Sequence, residues 1–244
     1  MKRNLLNLTR AEILNLDPKD FSKIEIAGDI IISWAKKLGC YWKFDGTPEN
    51  PGVHAILKSG LHSNEFFKVK EMLEYENVRR IIAQQLGACI GRKDICIAGI
   101  PHGGKKLGEE IASIYGLQYV DFEKKDEKII PSSEILDKSF KIIFVDDVAT
   151  KGTALLEAYE CIYYNDRLFI EVITKLLVPL NRSKSDSFHF PGYDKTFQIK
   201  ALANVQPEEW DSNSNDGCPL CKMGSTPRKP KISPEVWKKH FQQG

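Results

Sequence analysis

Residues Lys141 to Ala154 read KIIFVDDVATKGTA. Four apolar residues, Ile142 to Val145, run into two adjacent aspartates, and a short polar loop containing Gly152 follows. A short continuous apolar run closed by a turn signal fits a strand buried on both faces. The following GTALLEAYECIYY has the length and apolar content of a helix. Strand, loop and helix therefore succeed one another here, and the same alternation extends to either side. DICIAGI is a short β-rich run, and KKLGEEIASIYG spaces Leu107, Ile111 and Ile114 along one helical face before a terminal glycine. LQYVDF and LFIEVITKLLVPL read as further strands. Strands alternating with helices imply right-handed crossovers, hence an α/β fold with a mostly parallel central sheet flanked by helices.

Before this region, FSKIEIAGDIIISWAKKLG places Ile26, Ile30, Trp34 and Leu38 four apart and closes on Gly39, as an amphipathic helix with a glycine stop. FDGTPENPG is a loop by its Gly and Pro content, and ENVRRIIAQQLG is a second helix ending at a glycine. After about residue 181 the alternation dissolves into turn-rich, charged sequence, which reads as an appendage rather than a second core. The expected organisation is an N-terminal helical segment over 1–50, a core over 51–181 and a C-terminal segment over 182–244.

The 244 residues suffice for one large domain, or one domain with appendages. With 42% hydrophobic and 28% charged residues, the composition is that of a soluble globular protein. A net charge of +2 does not point to nucleic acid. No apolar run approaches the roughly 20 residues needed to span a bilayer. MKRNLLNLTRAEIL is basic but lacks a sustained apolar core, so no signal peptide and no membrane partner are expected. Six cysteines, scattered except for Cys218 and Cys221, suit a reducing, cytoplasmic setting.

In an open parallel sheet, ligands bind beyond the carboxyl ends of the strands. Asp146 and Asp147 sit at such an end, just before a helix whose first-turn N–H groups are free and whose dipole is positive. A phosphate monoester fits that cradle. Gly152 lets backbone approach closely, and Thr150 and Thr153 can donate hydroxyls. The loop lacks the Gly-x4-Gly-Lys-Ser/Thr pattern of a nucleotide P-loop. It is suited to one terminal phosphate, with two carboxylates beside it to accept bonds from vicinal hydroxyls, as on a phosphorylated sugar. The rival reading is an ordinary turn and helix N-cap. It accounts for an Asp pair alone, but less well for the whole strand–Asp-Asp-x-x-Thr-x-Gly-Thr–helix unit.

IIFVDDVATKGTA resembles the signature of the type I phosphoribosyltransferases, which bind 5-phosphoribosyl-1-pyrophosphate (PRPP). The resemblance implies that Asp146 and Asp147 hold the ribose hydroxyls, and that Ala149, Thr150, Lys151, Gly152 and Thr153 cradle the 5-phosphate. Three further stretches resemble the orotate branch of that family. HAILKSGLHSNEFFK implies that Lys58, Phe66 and Phe67 flank base and pyrophosphate. AGIPHGGKKLGEEIA implies a pyrophosphate loop at Pro101 to Lys105, with His102, Gly103, Gly104 and Lys105 as binding residues. VPLNRSKSDSF implies that Arg182 meets the orotate carboxylate, which a guanidinium can bind through two parallel hydrogen bonds. CPLCKMGSTPRKPK is similar to the ending of some longer orotate enzymes. The implied fold has a hood built from N- and C-terminal segments. The implied state is a homodimer, the implied partners are PRPP with a nucleobase, and the implied cofactor is Mg2+.

The chain also departs from that pattern. Gly103 stands where many orotate enzymes have lysine, with Lys105 and Lys106 following. FEKKDEKIIPSSEILDKSF keeps Glu123, Lys124 and Lys125 but lacks the His-Gly of the family's mobile loop, and Asn181 replaces an aspartate before Arg182. Lys124 and Lys125 can neutralise departing pyrophosphate, or they can be a solvated pair. These departures leave three readings open: an orotate enzyme, an enzyme for a purine or another base, and a PRPP-binding regulator without turnover.

Cys218 and Cys221 form one C-x-x-C knuckle with no second pair to complete a zinc site. A reduced turn with two thiols is expected. A possible zinc site would need His240 or a second copy to finish it. His62 and His102 are placed in substrate loops, where a plain loop histidine is equally expected. Trp42, Trp210 and Trp237 are read as packing anchors, and the basic residues Lys222, Arg228, Lys229 and Lys231 as a solvated face.

Overall fold

The structure, a computed structural model, describes residues 4–126, 128–132, 139–165 and 168–242. It divides into two compact units. One comprises Met1–Ile31 and Val69–Val205, the other Ile32–Lys68 and Gln206–Gly244.

The larger unit is built on a seven-stranded sheet. Its order is Ser187–Phe190, Lys195–Asn204, Phe169–Asn181, Ser139–Val145, Cys96–Gly99 and Gln118–Val120, with the short strand Val148–Ala149 also pairing with Phe169–Asn181. Every pairing is parallel except that of Ser187–Phe190 with Lys195–Asn204. The apolar run of the opening stretch forms the strand Ser139–Val145, flanked in parallel register by Ile97↔Ile143 on one side and Leu177↔Val145 on the other. Ile142 and Phe144 pack with Leu155, Ala158, Tyr159 and Ile162 of helix Thr153–Tyr163. Ile143 and Val145 point the opposite way and are buried too, as a central parallel strand requires. Helices Glu76–Gly87 and Lys105–Tyr115 pack on the sheet and on each other.

Two expectations change. The sheet does not stop near residue 181. The chain returns through Ser187–Phe190 and Lys195–Asn204, where Phe197, Ile199, Ala201 and Ala203 alternate toward the core. Helix Glu76–Gly87 ends at its glycine as expected, and a β-carbon there would sit 2.1 Å from the Tyr115 ring, so glycine is also needed for close helix–helix approach. The helix read from residue 21 begins only at Gly28. Phe21 lies in a separate 3-10 turn capped by Asp17. The stops at Gly39 and Gly116 stand, both with positive φ. The N-terminal segment is tied to helix Glu76–Gly87 by side-chain amides. Asn77 Nδ2 donates to the Ile13 carbonyl at 2.8 Å, and Gln85 Nε2 to that of Ile24 at 2.8 Å.

The smaller unit has its own core of Trp42, Ala55, Phe66, Trp237 and Phe241. The tail therefore contributes to a second core rather than forming an appendage. Its four-stranded sheet runs Glu209–Trp210, His62–Ser63, Val53–Ile56 and Thr226–Arg228. Tyr41–Lys43 pairs separately with Glu65–Phe67. Helix Pro234–His240, capped by Ser233, presents Trp237 to the core, and the Trp237 indole N–H donates to the Gly39 carbonyl at 3.0 Å. Both the core and the four-stranded sheet of this unit thus join sequence from both ends of the chain.

Candidate active site and a His-Cys cluster

Asp146 and Asp147 lie at the carboxyl end of the central strand Ser139–Val145. The Asp146 amide donates to the Leu177 carbonyl at 3.0 Å, continuing the sheet ladder one residue further. The Asp147 amide then turns back onto Asp146 Oδ1 at 2.8 Å. Burial, and next the neighbouring Asp147 charge, push the Asp146 carboxyl well above the usual carboxylate range. The residue as a whole is only half-buried, so desolvation of its carboxyl group is local to the crowded turn. Two carboxylates in one turn share this penalty until a cation or a set of hydroxyl donors arrives.

Helix Thr153–Tyr163 begins directly after the loop. Its N-cap is Gly152, in the left-handed region at φ 73°, and no side chain caps it. The reading of the aspartates as helix caps therefore fails. A β-carbon at Gly152 would meet the Phe188 ring at 2.9 to 3.1 Å, so glycine meets both a conformational and a packing demand there. Thr150, Lys151 and Thr153 are exposed around these first-turn amides, and Ala149 is buried beneath, its carbonyl accepting from the Arg182 amide at 2.8 Å.

The second loop reaches the same place. Ile100 N donates to the Val145 carbonyl at 2.8 Å, and the chain then turns through Pro101 to Gly104, with His102 at φ 71°. A β-carbon at Gly103 would lie 2.5 Å from both Asp146 Oδ1 and Asp147 Oδ1, and one at Gly104 would lie 2.0 Å from the Val145 carbonyl oxygen. The missing lysine at position 103 thus has a steric cause, because backbone occupies the space beside the carboxylates. Lys105 opens helix Lys105–Tyr115 and pairs with Asp121 at 2.7 Å, while Lys106 pairs with Glu74. A cleft of about 360 Å³ opens beside this turn, lined by Lys70, Glu74, His102, Gly103, Lys106 and Glu109 among others.

Lys124 and Lys125 lie on a hairpin that pairs Phe122–Lys125 with Lys128–Pro131. Lys124 Nζ is 3.9 Å from Glu157 of the helix after the phosphate-type loop. Glu127 and residues 133–138 of the same interval lie outside the described residues. Arg182 follows Asn181, whose amide organises the turn. Its Nδ2 donates to the Ser185 carbonyl at 2.7 Å and to Asn204 Oδ1 at 3.1 Å, and its Oδ1 accepts from the Ser183 amide at 2.9 Å. Two of those partners are acceptors, so an aspartate could not replace this asparagine.

The smaller unit holds the remaining candidates. Lys58 is exposed in the turn between Val53–Ile56 and His62–Ser63, closed by Leu57 N to the Leu61 carbonyl at 2.8 Å. Phe66 and Phe67 are buried. Phe66 packs beside Trp237 with ring centroids 6.0 Å apart, and Phe67 stacks on Tyr41 at 4.3 Å. Their rings are committed to the core of their own unit. Trp42 and Trp237 are buried anchors as expected.

His62 lies on strand His62–Ser63 rather than in a loop. With His54, Cys218 and Cys221 it forms a group whose donor atoms all lie within 4.8 Å of one another. His240, expected to complete any site at the cysteine knuckle, is not a member. The partners are His54 and His62, the first buried completely and the second nearly so. Burial, and next His62, push the His54 imidazole down to about 4, so it is neutral at ordinary pH. The six cysteines are all free thiols. Among the described residues, no helix is long and apolar enough to cross a membrane.

No family model matches the chain. It is similar to proteins named orotate phosphoribosyltransferase. That of Desulforamulus reducens is 27% identical over 180 residues, covering 72% of this chain and 87% of that protein. That of a Sulfurovum species is 27% identical over 197 residues, covering 72% and 90%. Among solved structures, Leishmania donovani UMP synthase superposes with a TM-score of 0.50 at 18% identity, over 68% of this chain. The match spans about a third, 34%, of that longer protein. At the level of fold, the α/β architecture with its mainly parallel sheet is shared with the matched part of that UMP synthase.

Proposed function

We propose that this chain is a phosphoribosyltransferase that transfers the 5-phosphoribosyl group of PRPP to a ring nitrogen of a nucleobase, with orotate favoured, and releases pyrophosphate. The observation that carries the reading is the meeting of two loops at one strand end. Gly103 lies against both carboxylates of Asp146 and Asp147, and the uncapped helix start at Gly152 and Thr153 follows five residues on.

The two loops divide the donor molecule between them. First-turn amides and the hydroxyls of Thr150 and Thr153 bind the 5-phosphate, with the helix dipole favouring its charge. Asp146 and Asp147 accept hydrogen bonds from the ribose 2- and 3-hydroxyls. As the bond to pyrophosphate breaks, the anomeric carbon gains positive character, and fixed negative charge close by lowers the barrier. The turn from Pro101 to Lys105 offers backbone N–H groups to the pyrophosphate. Lys124 and Lys125, on their hairpin, balance its charge as it leaves and exclude water. Asp146 and Asp147 would hold a Mg2+ ion that, when bound, would further neutralise that charge. Arg182 receives the carboxylate of the base through parallel hydrogen bonds. In this reading the enzyme works as a cytoplasmic homodimer, with no nucleic acid or membrane partner.

The test is pyrophosphate release from PRPP and Mg2+ with orotate, uracil, hypoxanthine, guanine and adenine in parallel. Release with orotate alone is expected. Release with a purine alone would discard the orotate assignment and keep the transferase. PRPP binding with no release for any base would turn the reading to a PRPP-binding regulator.

A further inference from the structure

We infer that the smaller unit carries a structural zinc ion, held by His54 Nε2, His62 Nδ1, Cys218 Sγ and Cys221 Sγ. The argument is independent of the proposed reaction.

The geometry is tetrahedral in scale. His54 Nε2 lies 2.9 Å from His62 Nδ1, 3.5 Å from Cys221 Sγ and 3.7 Å from Cys218 Sγ, and Cys221 Sγ lies 3.3 Å from His62 Nδ1. A zinc ion with nitrogen ligands near 2.0–2.1 Å and sulfur ligands near 2.3 Å sets its ligands roughly 3.3–3.8 Å apart. The two nitrogens need to part by only a few tenths of an ångström. Hydrogen bonding alone does not explain the cluster. His54 Nε2 has one in-plane position for a proton or a lone pair, yet three donor atoms converge on it. A cation at the centre satisfies all four at once.

The surroundings support the same assignment. His54 Nδ1 lies 2.9 Å from Ser225 Oγ, which is 3.4 Å from the Gly52 carbonyl. With Nδ1–H donating to Ser225, and Ser225 donating onward, the imidazole is fixed with its Nε2 lone pair toward the cluster. This is the outer-shell arrangement that metal-bound histidines use. Two thiolates and two imidazoles form the donor set that structural zinc prefers. Four protein ligands leave no open position, so the ion has no catalytic role.

The ligands also say what the ion does. His54 lies two residues before Ile56, the cross-strand partner of His62, so the two histidines are diagonal neighbours on an antiparallel pair. Cys218 caps and Cys221 lies within the short helix Pro219–Lys222, which leads into strand Thr226–Arg228. That strand pairs in parallel with the His54 strand, Pro227 opposite His54. His54 and Cys218 are 164 residues apart in sequence. Residues 32–68 and 206–244 form a small unit, in the size range where a core alone is marginal and a metal staple adds most. Zinc would lock the tail onto the N-terminal hairpin.

The test uses the full chain, purified under reducing conditions without chelator and measured by elemental analysis and native mass spectrometry. One zinc per chain is expected. Cobalt added to the stripped protein should give intense tetrahedral d–d bands and a thiolate charge-transfer band, both lost when zinc is added. Cys218→Ser should abolish stoichiometric binding. Ser225→Ala, which keeps all four ligands, should weaken zinc by about 10- to 100-fold in competition with a chromogenic chelator. If Cys218→Ser does not fold, the cobalt spectrum of the wild-type chain decides. A reduced wild-type chain that stays metal-free in equimolar zinc would overturn the assignment. So would weak octahedral cobalt bands without thiolate charge transfer.

Discussion

The strand end at Asp146 and the cluster at His54 are both convergences of polar groups, but they are built in opposite ways. The first is a crowded turn at a strand end. Two carboxylates crowd one turn, a helix begins without a side-chain cap, and the adjoining loop must be glycine to fit. The second closes on itself, with four donor atoms meeting at one buried point and a serine orienting the innermost ring. In the proposed function the first receives a substrate that comes and goes, and in the proposed zinc site the second holds a permanent part. Loss of the first should therefore cost turnover, and loss of the second should cost structure.

The sharpest way to break this contrast is to exchange the two effects. Asp147→Asn should lower pyrophosphate release by about 100-fold or more, the scale of removing one group that stabilises transition-state charge. Its melting midpoint should stay near that of the wild type. Stripping zinc should do the reverse to the fold, lowering the midpoint by roughly 10 °C, for a loss of several kcal/mol at about 2–4 °C per kcal/mol. Differential scanning calorimetry with and without added zinc checks this. If Asp147→Asn melts early, or the stripped chain melts at an unchanged temperature, the two sites have been read the wrong way round.

Gly103→Ala sharpens the account of the substrate end. Its β-carbon would meet both aspartate oxygens at 2.5 Å, so the turn must shift. Overpacking of this kind costs about 1–3 kcal/mol. A rise in KM for PRPP of about tenfold or more is expected in steady-state kinetics. Arg182→Ala should raise KM for orotate by about 10- to 100-fold, the worth of a hydrogen bond to a charged group. KM for PRPP should not move.

The smallest effect is on pH dependence. The Asp146 carboxyl titrates above its unfolded value in the ligand-free protein. Between the two values the folded state binds more protons than the unfolded chain. Stability is therefore lost as pH rises from the ordinary carboxylate range through the raised value. Asp146→Asn should flatten that limb of a plot of melting midpoint against pH. An unchanged slope would mean that the crowding of the two carboxylates is already relieved in the free protein.

How much of this could be read from the sequence follows from the same contrast. The substrate end is written in one contiguous stretch, so IIFVDDVATKGTA reveals strand, carboxylates, loop and helix together. The pyrophosphate-type turn is local as well, but the reason for Gly103 is not. It lies in side chains more than 40 positions away. The return of the chain through Lys195–Asn204 was legible in principle, because Phe197, Ile199, Ala201 and Ala203 alternate. The apolar Leu202 between them, which breaks the alternation, and the Pro-Gly turn before them hide it. Gly87 reads correctly as a helix end, but its packing against the Tyr115 ring is hidden because that ring is on another helix. The His-Cys cluster was half visible as a C-x-x-C knuckle. Its other half is His54 and His62, whose spacing suits a hairpin but carries no metal signature alone. Only the pairing of Val53–Ile56 with Thr226–Arg228 brings the halves together.

The central claim is that the Asp146–Asp147 strand end is where PRPP binds and reacts. It is tested most directly by calorimetric titration of PRPP with Mg2+ into the wild-type chain and into a variant carrying both Asp146→Asn and Asp147→Asn, beside pyrophosphate release with orotate. The account predicts saturable binding and release in the wild type, with both reduced by at least tenfold in a variant that still melts cooperatively. Equal PRPP binding by the two proteins would contradict it and place the donor elsewhere.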